Sequence, residues 1–250
     1  MRNVRPTVRI RESIKTHGAM GFALLCLRLP LSPFLKSPLG VRLADAYDGF
    51  VFDRRFGVDT SGWIAQPIPS VESGDPQLGS AYAGSSPAHF KRIFQNLKIR
   101  YEDYTFVDFG SGKGRVLLLA ATFPFRRVVG VEWSQELHQV AQRNVKLYNG
   151  PRACQKTESF CMDAGEFPIP SGKLVLYFFN PFKNEIMARV LRNVKESFKR
   201  DTREIILVYM NPRFKSVLDG AAFLEKTVDK GWLMVYRTVK EKPSRATPGK

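Results

Sequence analysis

The stretch "VDFGSGKGRV", residues 107–116, places three glycines, a lysine and an acid directly after an apolar run. A glycine-rich turn in that position ordinarily receives part of a nucleotide, because backbone without side chains can approach a ligand closely. Its spacing narrows the choice. A triphosphate-binding loop needs G-x-x-x-x-G-K-[ST], whose last residue supplies a hydroxyl to magnesium. Here Gly114 follows Lys113, and no glycine lies five positions before Gly112. A dinucleotide fold needs G-x-G-x-x-G, whereas Gly110, Gly112 and Gly114 run one residue tighter. Lys113 is therefore expected to be a solvated loop residue, not a phosphate ligand. Acids follow a second pattern: Asp108 precedes the glycines, Glu132 closes the apolar run "RRVVGVEW", and Asp163 lies at the end of "ESFCMDA". Three carboxylates at one edge of a sheet would repel a pyrophosphate. They suit a phosphate-free adenosine ligand with ribose hydroxyls, which a carboxylate accepts in bidentate fashion, an exocyclic amine and an ammonium group.

The elements that must position these residues read clearly from Ser86 onward. Ser86-Pro87 is a helix start, and Phe90, Ile93, Phe94 and Leu97 follow at i, i+3, i+4 and i+7, one buried stripe. "YTFVDF" is a short strand, "GRVLLLAATF" a buried helix, "RRVVGVEW" a second strand, and "SQELHQVAQRNVKLY" a helix that Ser134 is placed to cap. "ESFCMDA" is a third strand and "KLVLYFFN" a continuous apolar strand of the kind buried on both faces. Ile186, Met187, Val190, Leu191, Val194 and Phe198 form a helical stripe before a fifth strand, "REIILVYMN". "AFLEKTVD" and "WLMVYRTV", joined by "KG", are a hairpin and require antiparallel pairing. Alternating strands and helices followed by a hairpin predict an α/β fold, a mostly parallel doubly wound sheet with helices on both faces. Ligands of such folds bind at the carboxyl ends of the strands, where Asp108, Glu132 and Asp163 fall.

The combination "FVDFGSGKGR", "VVGVEWS", "CMDA" and "FFNPF" resembles class I S-adenosylmethionine-dependent methyltransferases over residues 80–240. The resemblance implies seven strands in the order 3-2-1-4-5-7-6, with the terminal hairpin as the reversed seventh strand. It implies S-adenosylmethionine as cofactor. The turn from Asp108 through Gly110, Ser111, Gly112 and Gly114 would pass under the methionine part, and Glu132 would bind the ribose. Trp133 would stack on adenine, while Asp163 with Ala164 would read the adenine amino group. "AYAGSSPAHF" and "DFGSGKGR" are further similar to seven-strand protein-lysine methyltransferases. That likeness puts Tyr82 near the cofactor's carboxylate or sulfonium, and lets Arg115 pair with the same carboxylate or with Asp108.

On the acceptor side, many nitrogen methyltransferases of the family carry Asn-Pro-Pro-aromatic after the fourth strand. There the amide and a backbone carbonyl accept the amine's hydrogens while the ring holds the target plane. Asn180, Pro181 and Phe182 keep the amide, one proline and the aromatic, without the second proline. The resemblance thus points to methyl transfer to nitrogen, with a protein lysine as favoured acceptor. RNA is the alternative acceptor, and a non-catalytic nucleotide-binding fold that attaches to a membrane or partner is the alternative class. No histidine falls at a strand end to serve as base.

Composition bounds the rest. With 44% hydrophobic and 25% charged residues in 250, the chain is of globular type. Cys26, Cys154 and Cys161 are too few and too scattered for a disulfide framework, and fit a reduced, cytoplasmic setting. His17, His89 and His138 lack metal-ligand spacing. A formal charge of +16 favours nucleic acid, an anionic membrane or an acidic protein as partner, or else a solvated basic surface without one. Residues 1–80 read as a basic extension and loop, 81–240 as the cofactor-binding domain, and 241–250 as a disordered tail. Within 1–42, eight Lys/Arg and the run "AMGFALLCLRLPL" predict an amphipathic helix that packs on the domain or lies peripherally on an anionic membrane surface. An organelle transit peptide would share that Arg-rich, acid-poor start. Residues 64–87, rich in Pro, Gly and Ser, predict a long loop.

Overall fold

Continuous apolar runs at the centre of a sheet and mixed ones at its margins are what strand burial requires, and the chain follows that rule. The computed structural model describes residues 38–62, 85–179 and 181–239, with side chains in the first stretch from Tyr47 onward. Expectations for residues 1–37, for the loop over 63–84 with Tyr82, for Asn180 and for the tail lie outside the described residues. The chain divides into two units, residues 1–47 and 48–250. Of the first, Pro38–Tyr47 is described and is helical; it is the start of helix α1, Pro38–Phe56.

The second unit holds the sheet. Its elements are α2 (Pro87–Gln95), β1 (Tyr104–Phe109), α3 (Arg115–Ala120), β2 (Arg127–Glu132), α4 (Gln135–Leu147), β3 (Thr157–Cys161) and β4 (Lys173–Phe179). They continue with α5 (Asn184–Arg200), β5 (Ile205–Met210), α6 (Lys215–Asp219), β6 (Leu224–Asp229) and β7 (Leu233–Thr238). The strand order is 3-2-1-4-5-7-6, as the resemblance implies. β1 pairs in parallel with β2 and β4, and β4 with β5, whereas β7 lies antiparallel to β5 and β6.

β1 and β5 are buried along their whole length, and β4 at every position but its ends. The edge strands, "TESFC" of β3 and "LEKTVD" of β6, carry polar and charged positions that blunt an open ladder. Because side chains alternate across a strand, each sheet face collects its own core. Phe106, Val175, Tyr177 and Val208 join Phe90 and Phe94 of α2 on one face. Val107, Phe109, Phe178 and Tyr209 join Met187, Val190 and Val194 of α5 on the other. Phe106 meets Phe90, Phe94, Phe125 and Tyr177 at centroid separations of 5.2–6.1 Å. Truncating it to Ala would cost about 3–5 kcal/mol by the usual scale for a buried aromatic.

Three local features differ from the sequence expectation. The helix over "GRVLLLAATF" stops at Ala120, after six residues, all buried. The hairpin connection is Lys230-Gly231-Trp232, with Gly231 at φ +74° and Trp232 in the turn instead of the strand. Helix α1 has no stripe that announces it. Phe52 and Phe56, one turn apart, pack on Tyr148 at 6.3 and 5.2 Å.

Candidate functional site

The glycine turn is built from backbone conformations that only glycine adopts freely. Gly110, Gly112 and Gly114 have φ of +79°, +52° and +83°. A Cβ on Gly110 would lie 2.3 Å from Cβ of Pro181, and one on Gly114 would lie 3.1 Å from Cβ of Ala141 in α4. The first glycine therefore admits the loop after β4, and the third admits α4. The N–H groups of Gly110 and Ser111 donate to the Val131 carbonyl at 2.8 and 3.1 Å, tying the turn to the end of β2. Ser111 Oγ is buried without a hydrogen-bond partner. It sits over Gly130, where a Cβ would come within 2.7 Å of it. Gly130 in the middle of β2 thus makes room for the turn, a role the sequence reading did not assign.

Asp108 and Glu132 lie at the ends of β1 and β2 beside this turn, whereas Asp163 follows the end of β3 by two residues. Asp108 is paired in register with Gly130 of β2 and Tyr177 of β4, and is 3% exposed. Burial pushes its carboxyl well above the ordinary carboxylate range, and the charge of Glu132 adds to the rise. Among the described residues, none donates a hydrogen bond to it. Glu132, 4% exposed, is also raised by burial, against the opposing pull of backbone donors. Its oxygens accept from Gly112 N–H at 2.8 Å and Ser134 N–H at 3.0 Å. Ser134 in turn caps α4 by accepting from Leu137 N–H at 3.4 Å, as expected. Asp163 accepts from Gly165 N–H at 2.7 Å and from Arg189 Nη1 at 3.0 Å, and Arg189 also reaches Glu166. Ala164 opens a single 3-10 turn, Ala164–Glu166, and is buried. Trp133 is half-buried, and its carbonyl accepts from Cys161 Sγ at 3.7 Å.

Two assignments around the turn need correction. Lys113 is not a solvated residue: its side chain is 15% exposed, and Nζ donates to Asp59 Oδ1 and to the Ser61 carbonyl, both at 2.9 Å. Arg115 does not pair with Asp108. It is 4% exposed, and donates from Nε to Thr60 Oγ1 at 2.8 Å and from Nη2 to Ser61 Oγ at 3.1 Å. Its guanidinium lies against Gly49, where a Cβ would approach Nη2 within 2.6 Å, and 6.0 Å from the Phe52 ring centroid. An arginine this buried needs partners for its donors, and Thr60 and Ser61 accept from two of them. Asp53 holds that segment by accepting from Thr60 and Ser61 N–H at 2.9 and 2.6 Å and from the Thr60 hydroxyl. Asn144 of α4 completes the clasp: its Oδ1 accepts from Asp59 N–H at 2.9 Å, and its Nδ2 donates to the carbonyls of Asp59 and Lys113 at 2.7 and 2.8 Å. Asp53, Asp59, Thr60, Ser61 and Asn144, none singled out from sequence, thus fix the glycine turn from behind.

On the acceptor side, Pro181 lies against Gly110, joining the loop after β4 to the glycine turn. Phe182 is buried against Phe178, at 6.4 Å and 82°, in the core of the second face. Tyr82 and Asn180 lie outside the described residues. Among the described residues, no group of His, Cys, Asp and Glu could hold a metal ion, and no helix is long and apolar enough to cross a membrane.

The family model described as "Histone methylation protein DOT1" matches residues 78–165, about a third of the chain. That span runs through α2, the glycine turn and all three acids. Among solved structures, the chain is similar to an RNA methyltransferase from Salinibacter ruber in complex with S-adenosyl-L-homocysteine. The identity is 20%, over 65% of this chain and 97% of that one, with a TM-score of 0.44. It is also similar to the ribosomal protein L11 methylase from Lactobacillus delbrueckii subsp. bulgaricus, at 14% identity over 67% and 84% of the two chains and a TM-score of 0.44. No curated protein matches it in sequence.

Proposed function

We propose that the chain, which has the class I strand order, is an S-adenosylmethionine-dependent methyltransferase that methylates nitrogen, with the side-chain amine of a protein lysine as acceptor. The observation that carries the reading is the contact of Gly110 with Pro181, which sets the cofactor turn directly against the Asn-Pro-Phe loop. The family match over residues 78–165 supports a protein acceptor.

The residues at the strand ends fit the cofactor on their own chemistry. Buried Asp108, with no donor among the described residues, is suited to a cation, and takes the ammonium group. Glu132 spends one acceptor site on Gly112 N–H and one on Ser134 N–H. A carboxylate has about four such sites, so it can also receive the ribose hydroxyls. Asp163 and Ala164 receive the adenine amino group, and Trp133 lies beside it. Ser111 Oγ, buried without a partner, is free to join. When bound, S-adenosylmethionine supplies an electrophilic methyl group on a positively charged sulfonium.

Transfer of that group is an in-line displacement, so the chain's work is largely positioning and exclusion of water. Gly110 and Pro181 keep cradle and acceptor loop at fixed separation. By the motifs they belong to, Asn180 would accept hydrogens of the amine and aim its lone pair, and Tyr82 would meet the cofactor. Phe182 anchors the loop from beneath through its contact with Phe178. The acceptor amine loses its proton to solvent before it is bound.

Methylation of RNA is the second reading, favoured by the charge of +16. A transfer assay with tritiated S-adenosylmethionine on a cell lysate separates the two. Label released by protease and recovered as methylated lysine supports the first. Label released only by nuclease establishes the second and removes the first.

A further inference from the structure

We propose that the rim around the acceptor loop is a docking surface for acidic segments, so that the lysine methylated is one flanked by Asp or Glu. This rests on the lysine reading and deepens it.

Three chain connections meet at the carboxyl edge of the sheet. β4 and β5 end in register, Phe179 beside Met210, and are followed by Pro181-Phe182-Lys183 and by Asn211-Pro212-Arg213-Phe214-Lys215. β7 runs antiparallel with Leu233 opposite Met210, which brings the hairpin connection Lys230-Gly231-Trp232 to the same edge. Asn211 N–H donates to the Trp232 carbonyl at 2.8 Å and locks the last two together. Asn211 stands at φ +47°, a left-handed conformation that asparagine adopts more readily than other side chains. Phe214 N–H donates to the Tyr209 hydroxyl at 3.4 Å and pins the other end of the loop.

Each connection presents a cation. Lys183, Arg213, Lys215 and Lys230 are all exposed, and none forms an ion pair with another described residue. The nearby acids Asp219 and Asp229 feel the charge of Lys215 but form their ion pairs with another residue. Asp219 and Asp229 are both taken by Lys226, at 3.1 and 3.0 Å, which leaves Glu185 in the first turn of α5. Amid this charge Trp232 is 41% exposed, with the His89 ring 5.9 Å away. A flat aromatic surface suits the aliphatic stem of a lysine, and surrounding cations suit carboxylates on either side of it. A basic segment, such as a histone tail, would meet like charge here as well as on a chain of +16. The same cations disfavour the protonated form of an approaching lysine amine, which is the form that cannot accept a methyl group.

The test uses the full chain and fluorescent 15-residue peptides with one central lysine, flanked by Glu, Ala or Arg. Binding is read by anisotropy, and methyl transfer as kcat/KM, at low and high salt. Glu-flanked peptides should bind and react at least tenfold better than Arg-flanked ones at low salt, with the gap narrowing as salt rises. The triple variant Lys183→Glu, Arg213→Glu, Lys230→Glu should reverse the order while leaving S-adenosylmethionine affinity unchanged, which also shows that it folds. Equal binding of all three peptides, or an order the variant does not alter, overturns the proposal. Preferential binding of Glu-flanked peptides without transfer to any lysine supports the surface and removes the lysine reading.

Discussion

Replacing Glu132 by Ala isolates the acid that ends β2. In the cofactor-free protein the change has two opposed effects. It strands Gly112 and Ser134 N–H without their acceptor, and it removes a buried carboxylate that burial already disfavours. The midpoint of thermal unfolding without cofactor is therefore a poor gauge, and the increment produced by cofactor is a good one. Loss of hydrogen bonds between a charged group and the ribose is worth about 1.5–3 kcal/mol, or an affinity about 12- to 140-fold weaker. At a cofactor concentration of 100 times the wild-type Kd, the wild type gains about 2.7 kcal/mol. At the same concentration the variant gains about 0.3–1.3 kcal/mol. For a domain of this size the increments correspond to roughly 5–11 °C for the wild type and roughly 1–5 °C for the variant. Differential scanning fluorimetry with and without S-adenosylmethionine reads both. An increment equal to the wild type's, in a variant that still unfolds cooperatively, would refute the ribose assignment.

Three further outcomes follow from the same geometry. Gly110→Ala forces a left-handed alanine, costing about 1–2 kcal/mol, and drives its Cβ into Pro181. Methyl transfer should fall at least tenfold with a lowered unfolding midpoint, and unchanged turnover would separate the two loops functionally. Asn144→Ala strips the acceptor and donors that hold Asp59 and the Lys113 carbonyl. KM for S-adenosylmethionine should rise several-fold with kcat little changed, Asn144→Gln should not rescue it, and a pure stability loss with unaltered KM would argue against positioning. Asp108 and Glu132 have raised carboxyls in the folded protein, so their contribution to stability is present below the ordinary carboxylate range, about pH 4, and is lost as pH rises through the raised values. Binding a cation beside them favours ionisation. S-adenosylmethionine should bind more tightly toward pH 8 with release of protons, and calorimetry in two buffers of different ionisation enthalpy that detects no release would contradict this.

What was legible in the sequence is what depends on neighbours along the chain. "YTFVDF" and "KLVLYFF" are strands because nothing but a two-sided interior accepts so continuous an apolar run, and the glycine turn follows from spacing alone. The unread parts depend on partners far apart in sequence. Arg115 finds Thr60 across 55 positions, and Asn144 finds Asp59 across 85. A polar residue carries no mark of which distant group will satisfy it, so Lys113 read as solvated and Asp108 as a possible partner of Arg115. Arg189, 26 residues beyond Asp163, is illegible for the same reason. Phe182 read as an acceptor-side ring because the resemblance places it by motif, and its packing beside Phe178 in the core was not legible there. Helix α1 escaped because its charges and aromatics are mixed in sequence, and among its described residues Phe52 and Phe56 meet Tyr148.

The turn at 110–114 and the acids at 108, 132 and 163 are proposed to hold an adenosine ligand that has no phosphate. Isothermal titration of the chain with S-adenosylmethionine, S-adenosylhomocysteine and NAD tests it most directly. Saturable one-to-one binding of the first two, with no heat from NAD, is the predicted result. Binding of NAD without either of the others would contradict the account.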